Sequence, residues 1–172
     1  MLQRPAADEF GSHFGTYIGL IETDDVLPLL ENNRKQLAAL YAAMTDEQAR
    51  YRYAPDKWSL KEVLGHIADT ERVMSYRMLR IARGDRTPLP GFDQDGYMAN
   101  SGFDAFPVAQ LLADYEAVRA ATTGLMRMIS PEAWTRTGTA SNATMSARAL
   151  AYVIAGHEQH HLNIIRARYL QF

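Results

Sequence analysis

At 172 residues, 47% of them hydrophobic, the chain is long enough to bury a core of its own and to fold as one domain. Its 18 basic and 20 acidic residues give a net charge of −2, which offers no polycationic surface to nucleic acid or an acidic membrane. It has no cysteine, which excludes disulfides, thiolate metal sites and a cysteine nucleophile, so any chemistry falls to oxygen and nitrogen groups. No apolar run is long enough to span a bilayer, and the start Met1-Leu2-Gln3-Arg4-Pro5 carries no signal-peptide core. The expected location is the cytoplasm.

Residues 1–23 mix Gly11, Gly15 and Gly19 with Phe10, Phe14 and Tyr17 and predict an irregular leader packed on the body. His13 lies here without a neighbour at ligand spacing and reads as a surface or hydrogen-bonded histidine. Asp24 and Asp25 cap a first long helix, in which Leu29, Leu30, Leu37, Leu40, Tyr41 and Met44 recur every three or four residues, to about residue 43. A short turn from Thr45 and an extended connection over 51–56 follow. Ser59-Leu60-Lys61-Glu62 is a capping box that opens a second helix running to Gly84. Leu60, Val63, Leu64, Ile67, Met74, Met78 and Ile81 form its apolar arc, with His66 on the shoulder.

Residues 85–106 hold Pro88, Pro90, Gly91, Gly96 and Gly102, show no helical periodicity, and predict a long loop. Phe92, Tyr97, Met98, Phe103 and Phe106 would pack it on the bundle as a cover or an active-site lid. Pro107, in a first helical position, starts a third helix through Leu111, Tyr115, Val118, Thr122, Met126 and Ile129. Ser130-Pro131-Glu132 predicts a single capped turn and residues 135–143 an irregular connector. Thr144 or Ser146 then caps a fourth helix that reaches Tyr169. Four long amphipathic helices without a convincing strand predict an all-α four-helix bundle, with the long loop between its second and third helices.

The fourth helix carries His157-Glu158-Gln159-His160-His161 in an otherwise apolar stretch. Residues four apart share a helix face with Cβ atoms about 5–6 Å apart, so His157 and His161 can offer two imidazoles to one ion. Leu150, Ile154, His157, His161 and Ile165 trace a single stripe, the one a helix buries. Both histidines therefore occupy core positions, where imidazoles need hydrogen bonds, a metal or a wet pocket. His66, on the second helix, is a third inward-capable histidine.

His160 sits about 100° round the helix from His161 and is expected either to flank the stripe or to face solvent. Glu158 also falls off it, which favours a surface ion pair with a lysine or arginine over a general-base role. The five residues spell H-E-x-x-H, the zinc-protease signature, but the tail 162–172 holds no His, Asp, Glu or Cys to act as third ligand. That argues against a protease of this kind. Met74, Met78, Met126 and Met128 read as adaptable core filling.

The run Lys57-Trp58-Ser59-Leu60-Lys61-Glu62, continued by His66-Ile67-Ala68-Asp69, resembles the second-helix signature of the DinB-like (DinB/YfiT) superfamily, a Trp-Ser opening followed by His-x-x-Asp. His157-Glu158-Gln159-His160-His161 is similar to that family's last-helix His-x-x-x-His. The resemblance covers about residues 25 to 170 and implies a metal-binding bundle with His66, His157 and His161 as ligands. Three histidines leave an open position suited to Zn²⁺, Ni²⁺ or Fe²⁺. Asp69 would either orient an imidazole or be a simple solvated acid.

Family analogy further implies a thiol S-transferase or maleylpyruvate-isomerase-like activity, in which the metal activates a low-molecular-weight thiol for attack on an electrophile. The alternative is a non-catalytic, stress-associated bacterial bundle whose triad is structural or vestigial and whose surface binds a protein partner. A homodimer through exposed helix faces is a further expectation from the family.

Overall fold

The computed structural model describes residues 2–170, so Met1 of the predicted leader lies outside the described residues. Seven α-helices and one hairpin are found among them: α1 Gly15–Gly19, α2 Val26–Ala42, α3 Asp46–Ala49, α4 Leu60–Ala82, α5 Gln94–Ser101, α6 Val108–Arg127, β1 Thr137–Ala140, β2 Ala143–Ser146 and α7 Ala147–Ile164. The four long helices α2, α4, α6 and α7 form the predicted bundle. Both α4 and α2 pack against α6 and α7, so the ring runs α2-α6-α4-α7.

Local chemistry sets the helix ends. At α4, Ser59 Oγ accepts from the Glu62 amide (3.1 Å) while the Glu62 carboxylate accepts from the Ser59 amide (2.8 Å), the reciprocal pair the sequence predicts. Thr45 and Gln48 do the same for α3. The α6 start differs from expectation: Pro107 is the residue before the helix, and Asp46 of α3 accepts from the Val108 amide at 2.7 Å. Asp25 precedes α2 without capping it through its side chain. Lys61 is fully buried, and its ammonium donates to Phe106 O (2.6 Å) and pairs with Asp46 (2.8 Å), which ties α3 and the end of the 85–106 segment to α4.

Three expectations are corrected. The 85–106 segment is not a structureless loop: Asp93 accepts from the Asp95 and Gly96 amides to start α5, Gly102 ends it in the left-handed region (φ 64°), and a 3-10 turn follows at Phe103–Ala105. Of α5 only Met98 is buried, so there was no apolar stripe to find.

The connector before α7 is an antiparallel hairpin, pairing Thr137 with Ser146 through to Ala140 with Ala143. Ser141 (φ 51°) and Asn142 (φ 60°) make its two-residue turn, both in the left-handed region that the twist of a hairpin requires. Strands of four residues are too short for alternation to announce them. Met128, expected in the core with Met74, Met78 and Met126, is 74% exposed just past the end of α6.

The leader is also more regular than expected, with 3-10 turns at Ala7–Glu9 and Ser12–Phe14 before α1. It packs against α7 as predicted, and it can do so because residue 156 is glycine: a Cβ there would lie 2.1 Å from Tyr17 O. An isolated glycine inside a helix costs about 1 kcal/mol relative to alanine and marks a close approach of this kind.

Buried apolar residues divide into two clusters along the bundle. On α2 the break falls between Leu30 and Leu37, on α4 between Ala68 and Met74, on α6 between Val118 and Met126, and on α7 between Ala155 and Leu162. The same gaps hold the buried polar residues Asn33, Thr70, Glu71, Arg119, Thr122, His157, Glu158 and His161. A polar belt thus crosses the middle of the molecule.

Candidate metal centre

The capping box at Ser59 sets where α4 begins, and seven residues on His66 enters the belt from that helix. From α7, His157 and His161 enter it one turn apart, as their i, i+4 spacing predicts. His157 Nε2 lies 2.9 Å from His66 Nε2 and 3.1 Å from His161 Nε2, and the three rings each offer one nitrogen within 4.8 Å of the others. Three nitrogens bonded at about 2.0–2.1 Å to one tetrahedral ion would stand roughly 3.3 Å apart, and the two distances from His157 are close to that.

All three histidines are buried, at 3%, 5% and 8% exposure for His66, His157 and His161. Burial pulls His66 down to about 4; burial first, then repulsion from the neighbouring histidines, holds His157 and His161 well below the usual imidazole range. At neutral pH the triad is uncharged, the form in which imidazole nitrogens bind a metal. With no cysteine in the chain, the donor set fits an ion that accepts imidazole, and three donors leave a position open.

Two aromatic rings roof the triad, and one of them, Tyr17, the sequence did not point to. The Tyr17 ring, brought in by α1 over Gly156, stands edge-on to His157 (5.4 Å) and His160 (5.5 Å). Trp58 lies 4.7 Å from His66. Beside them Gly65 makes room for Phe103, whose ring atoms lie as close as 2.3 Å to where a Cβ would be. His161 faces a cleft of about 300 Å³ lined also by Tyr53, Trp58, Val63, Asp95 and Tyr169. His160 flanks the triad as expected, half-buried and 5.2 Å ring to ring from His161. His13 is exposed on the leader, its ring tilted against Phe14.

Glu158 is the main correction. It is 1% exposed rather than on the surface, and Arg119 Nη2 donates to its Oε1 at 2.7 Å while Tyr115 Oη donates to the same oxygen at 2.6 Å. Arg119 also holds Glu71 (2.7 Å) and donates to Leu30 O (2.8 Å), so one guanidinium joins all four bundle helices. The reason is that α7 is buried all round from Ala149 to Glu158, leaving no solvent face for Glu158 to occupy. Asp69 follows neither reading: it is half-buried and pairs with Arg72 at 3.2 Å, outside the triad.

Residues 29–165 match the sequence profile of the DinB superfamily. The chain belongs to that superfamily. Among its relatives is an Oceanobacillus iheyensis protein named as a candidate metal-dependent hydrolase, 25% identical over 142 residues that cover 81% of each chain. Among solved structures, the DinB-superfamily bundle described here resembles YfiT from Bacillus subtilis, described as a candidate metal-dependent hydrolase with an unusual four-helix bundle topology. The TM-score is 0.69 at 17% identity, over 96% of this chain and 93% of that one. It also resembles a mycothiol-dependent maleylpyruvate isomerase, with a TM-score of 0.67 at 14% identity. That match covers 84% of this chain but only 61% of the isomerase. At these identities the structural likenesses establish the fold.

Proposed function

We propose that His66, His157 and His161 together hold one divalent transition metal, Zn²⁺, Ni²⁺ or Fe²⁺, and that the protein uses it to activate a low-molecular-weight thiol for attack on an electrophile. The observation that carries this is the convergence of three neutral, buried imidazole nitrogens beside an open cleft. A divalent ion held there supplies Lewis acidity, drawing the pKa of a thiol or a water toward neutrality.

The chain's own residues do the rest. Tyr17 and Trp58 close two sides of the triad and exclude bulk water. Tyr53, Trp58 and Tyr169 give the cleft an aromatic wall for the apolar part of a substrate. Asp95, at the start of α5, forms no ion pair among the described residues and is the carboxylate on this wall free to take up the thiol proton. Glu158 is unavailable for that role, because Arg119 and Tyr115 already occupy its oxygens. Of the segment 85–106, Asp95 on α5 is the residue that lines this cleft.

A second reading, in which water is the nucleophile, is favoured by the two relatives described as candidate metal-dependent hydrolases. Elemental analysis of protein purified without chelator or a nickel column comes first, wild type beside His157→Ala. About one equivalent of metal in the wild type and almost none in the variant is expected; absence from both after incubation with Zn²⁺ and Ni²⁺ overturns the site. Loaded protein is then offered an electrophile panel with and without a small thiol. Turnover that needs the thiol supports transfer, and turnover without it supports hydrolysis. A metal that raises stability yet drives neither would make the triad structural and return the bundle to a non-catalytic binding role.

A further inference from the structure

Three helical turns beyond His66, Arg77 stands on the same face of α4 and is 2% exposed. Its neighbours on this helix have carboxylate partners: Arg72 pairs with Asp69 and Asp114, and Arg80 with Asp85. Arg77 has no carboxylate within ion-pair distance among the described residues. Its donors reach only neutral acceptors: Pro90 O at 2.6 Å, Ser141 Oγ at 3.0 Å and Met74 Sδ at 3.6 Å. The Phe92 ring lies 5.7 Å from the guanidinium carbon. Burial alone acts on this cation and pulls its pKa down, with no acid opposing.

A buried charge without a counter-charge is costly, and a structural arginine normally recovers that cost from a carboxylate. Here the space beside it is open. A cleft of about 310 Å³ is lined by Val73, Tyr76, Arg77, Leu89, Phe92 and Tyr97, with Tyr76 and Tyr97 half exposed at its mouth. Its floor carries one unpaired positive charge and its walls are aromatic and aliphatic. Arg72, which also borders it, is already matched by two aspartates. A single cation without an ion-pair partner, set among apolar walls, selects against multiply charged phosphates and for a single carboxylate, whose planar oxygens a guanidinium matches.

We propose that this cleft is a second binding site, distinct from the histidine triad, for a small monocarboxylate with a flat apolar body. The body would lie between Tyr76, Phe92 and Tyr97 and the carboxylate would reach Arg77. The segment over 89–92 is held there by the Leu89 amide to Thr139 O (2.9 Å) and by the Ser141 amide to Leu89 O (3.1 Å), so the cleft stands on the hairpin and is preformed.

The test is titration of the ¹⁵N-labelled full chain with 3-phenylpropionate and, in parallel, its uncharged amide. Saturable shifts centred on the Gly91, Phe92 and Tyr97 amides are expected, with the carboxylate binding about tenfold or more tighter than the amide, as a bond to a charged group implies. Arg77→Gln should abolish that preference. Tyr97→Ala, which removes a half-exposed ring and leaves the bundle intact, should weaken binding several-fold. Should Arg77→Gln fail to fold, the amide comparison and Tyr97→Ala decide alone. Equal binding of acid and amide, no saturation, shifts centred on His157 and His161, or an equal response to inorganic phosphate would each overturn the assignment.

Discussion

Two buried polar clusters sit side by side, and the same two helices feed both: the neighbours His157 and Glu158 on α7, and His66 and Glu71, five residues apart, on α4. They are built on opposite principles. The Arg119–Glu71–Glu158–Tyr115 cluster is charged and internally saturated, its guanidinium donating to both carboxylates and to Leu30 O. The histidine triad is neutral, and its nitrogens point at one another with only ring contacts around them. The first cluster needs nothing from outside. The second presents three converging donor nitrogens and no charge of its own, which is what separates a structural ion cluster from a candidate metal site in the same layer.

Breaking the charged cluster gives the largest expected effect. Arg119→Ala leaves two carboxylates buried without their cation and should cost about 3–5 kcal/mol, measured by chemical denaturation. Arg119→Met with Glu71→Gln and Glu158→Gln, which removes the charges together, should recover much of that loss. No recovery would mean that the cluster does not act as one unit.

Acid should separate the two clusters next. The folded-state pKa of each triad histidine lies below the unfolded value near 6.5, so the unfolded chain binds protons first as the pH falls. The triad's contribution to metal-free stability is therefore flat above that value and declines below it, by up to about 1.4 kcal/mol per pH unit for each histidine. For His66 the window runs from about 6.5 down to about 4. His66→Phe should make the acid limb of a stability–pH curve shallower, and an unchanged slope would remove His66 from the titrating set.

The two glycines beside the triad sharpen the comparison at lower cost. Gly156→Ala sets a methyl against the Tyr17 backbone carbonyl, which cannot swing aside, and should destabilise by about 1–3 kcal/mol while lifting Tyr17 from His157. Gly65→Ala meets only the Phe103 side chain, so a smaller loss is expected. Thermal melts and the ring-shifted imidazole resonances of His157 report both. The reverse order of effect would show that Phe103, not α1, is the firmer roof.

The bundle and the triad were legible because their signals are local and repetitive: apolar residues at helical spacing, a capping box at Ser59, and imidazoles at i, i+4 on a buried stripe. Glu158 was misplaced because a single-stripe picture assumes that every helix has a solvent face, and α7 has none over that stretch. Arg119 and Glu71 did carry a signal, since each stands four residues after a core position, Tyr115 and Ile67, where a charge requires a buried partner. Tyr17 could not be found from its own neighbourhood. Its role depends on Gly156, far along the chain, and only the close approach of two backbones reveals the pairing.

The belt has one more effect, on how the helices align lengthwise. A one-turn slip of a helix, about 5.4 Å, would repack the two apolar clusters hydrocarbon on hydrocarbon. Such a slip would carry Arg119 or Glu158 into hydrocarbon and strand its partner. The charged layer therefore acts as a detent that fixes the axial register of four helices, and with it the depth at which His66 meets His157 and His161.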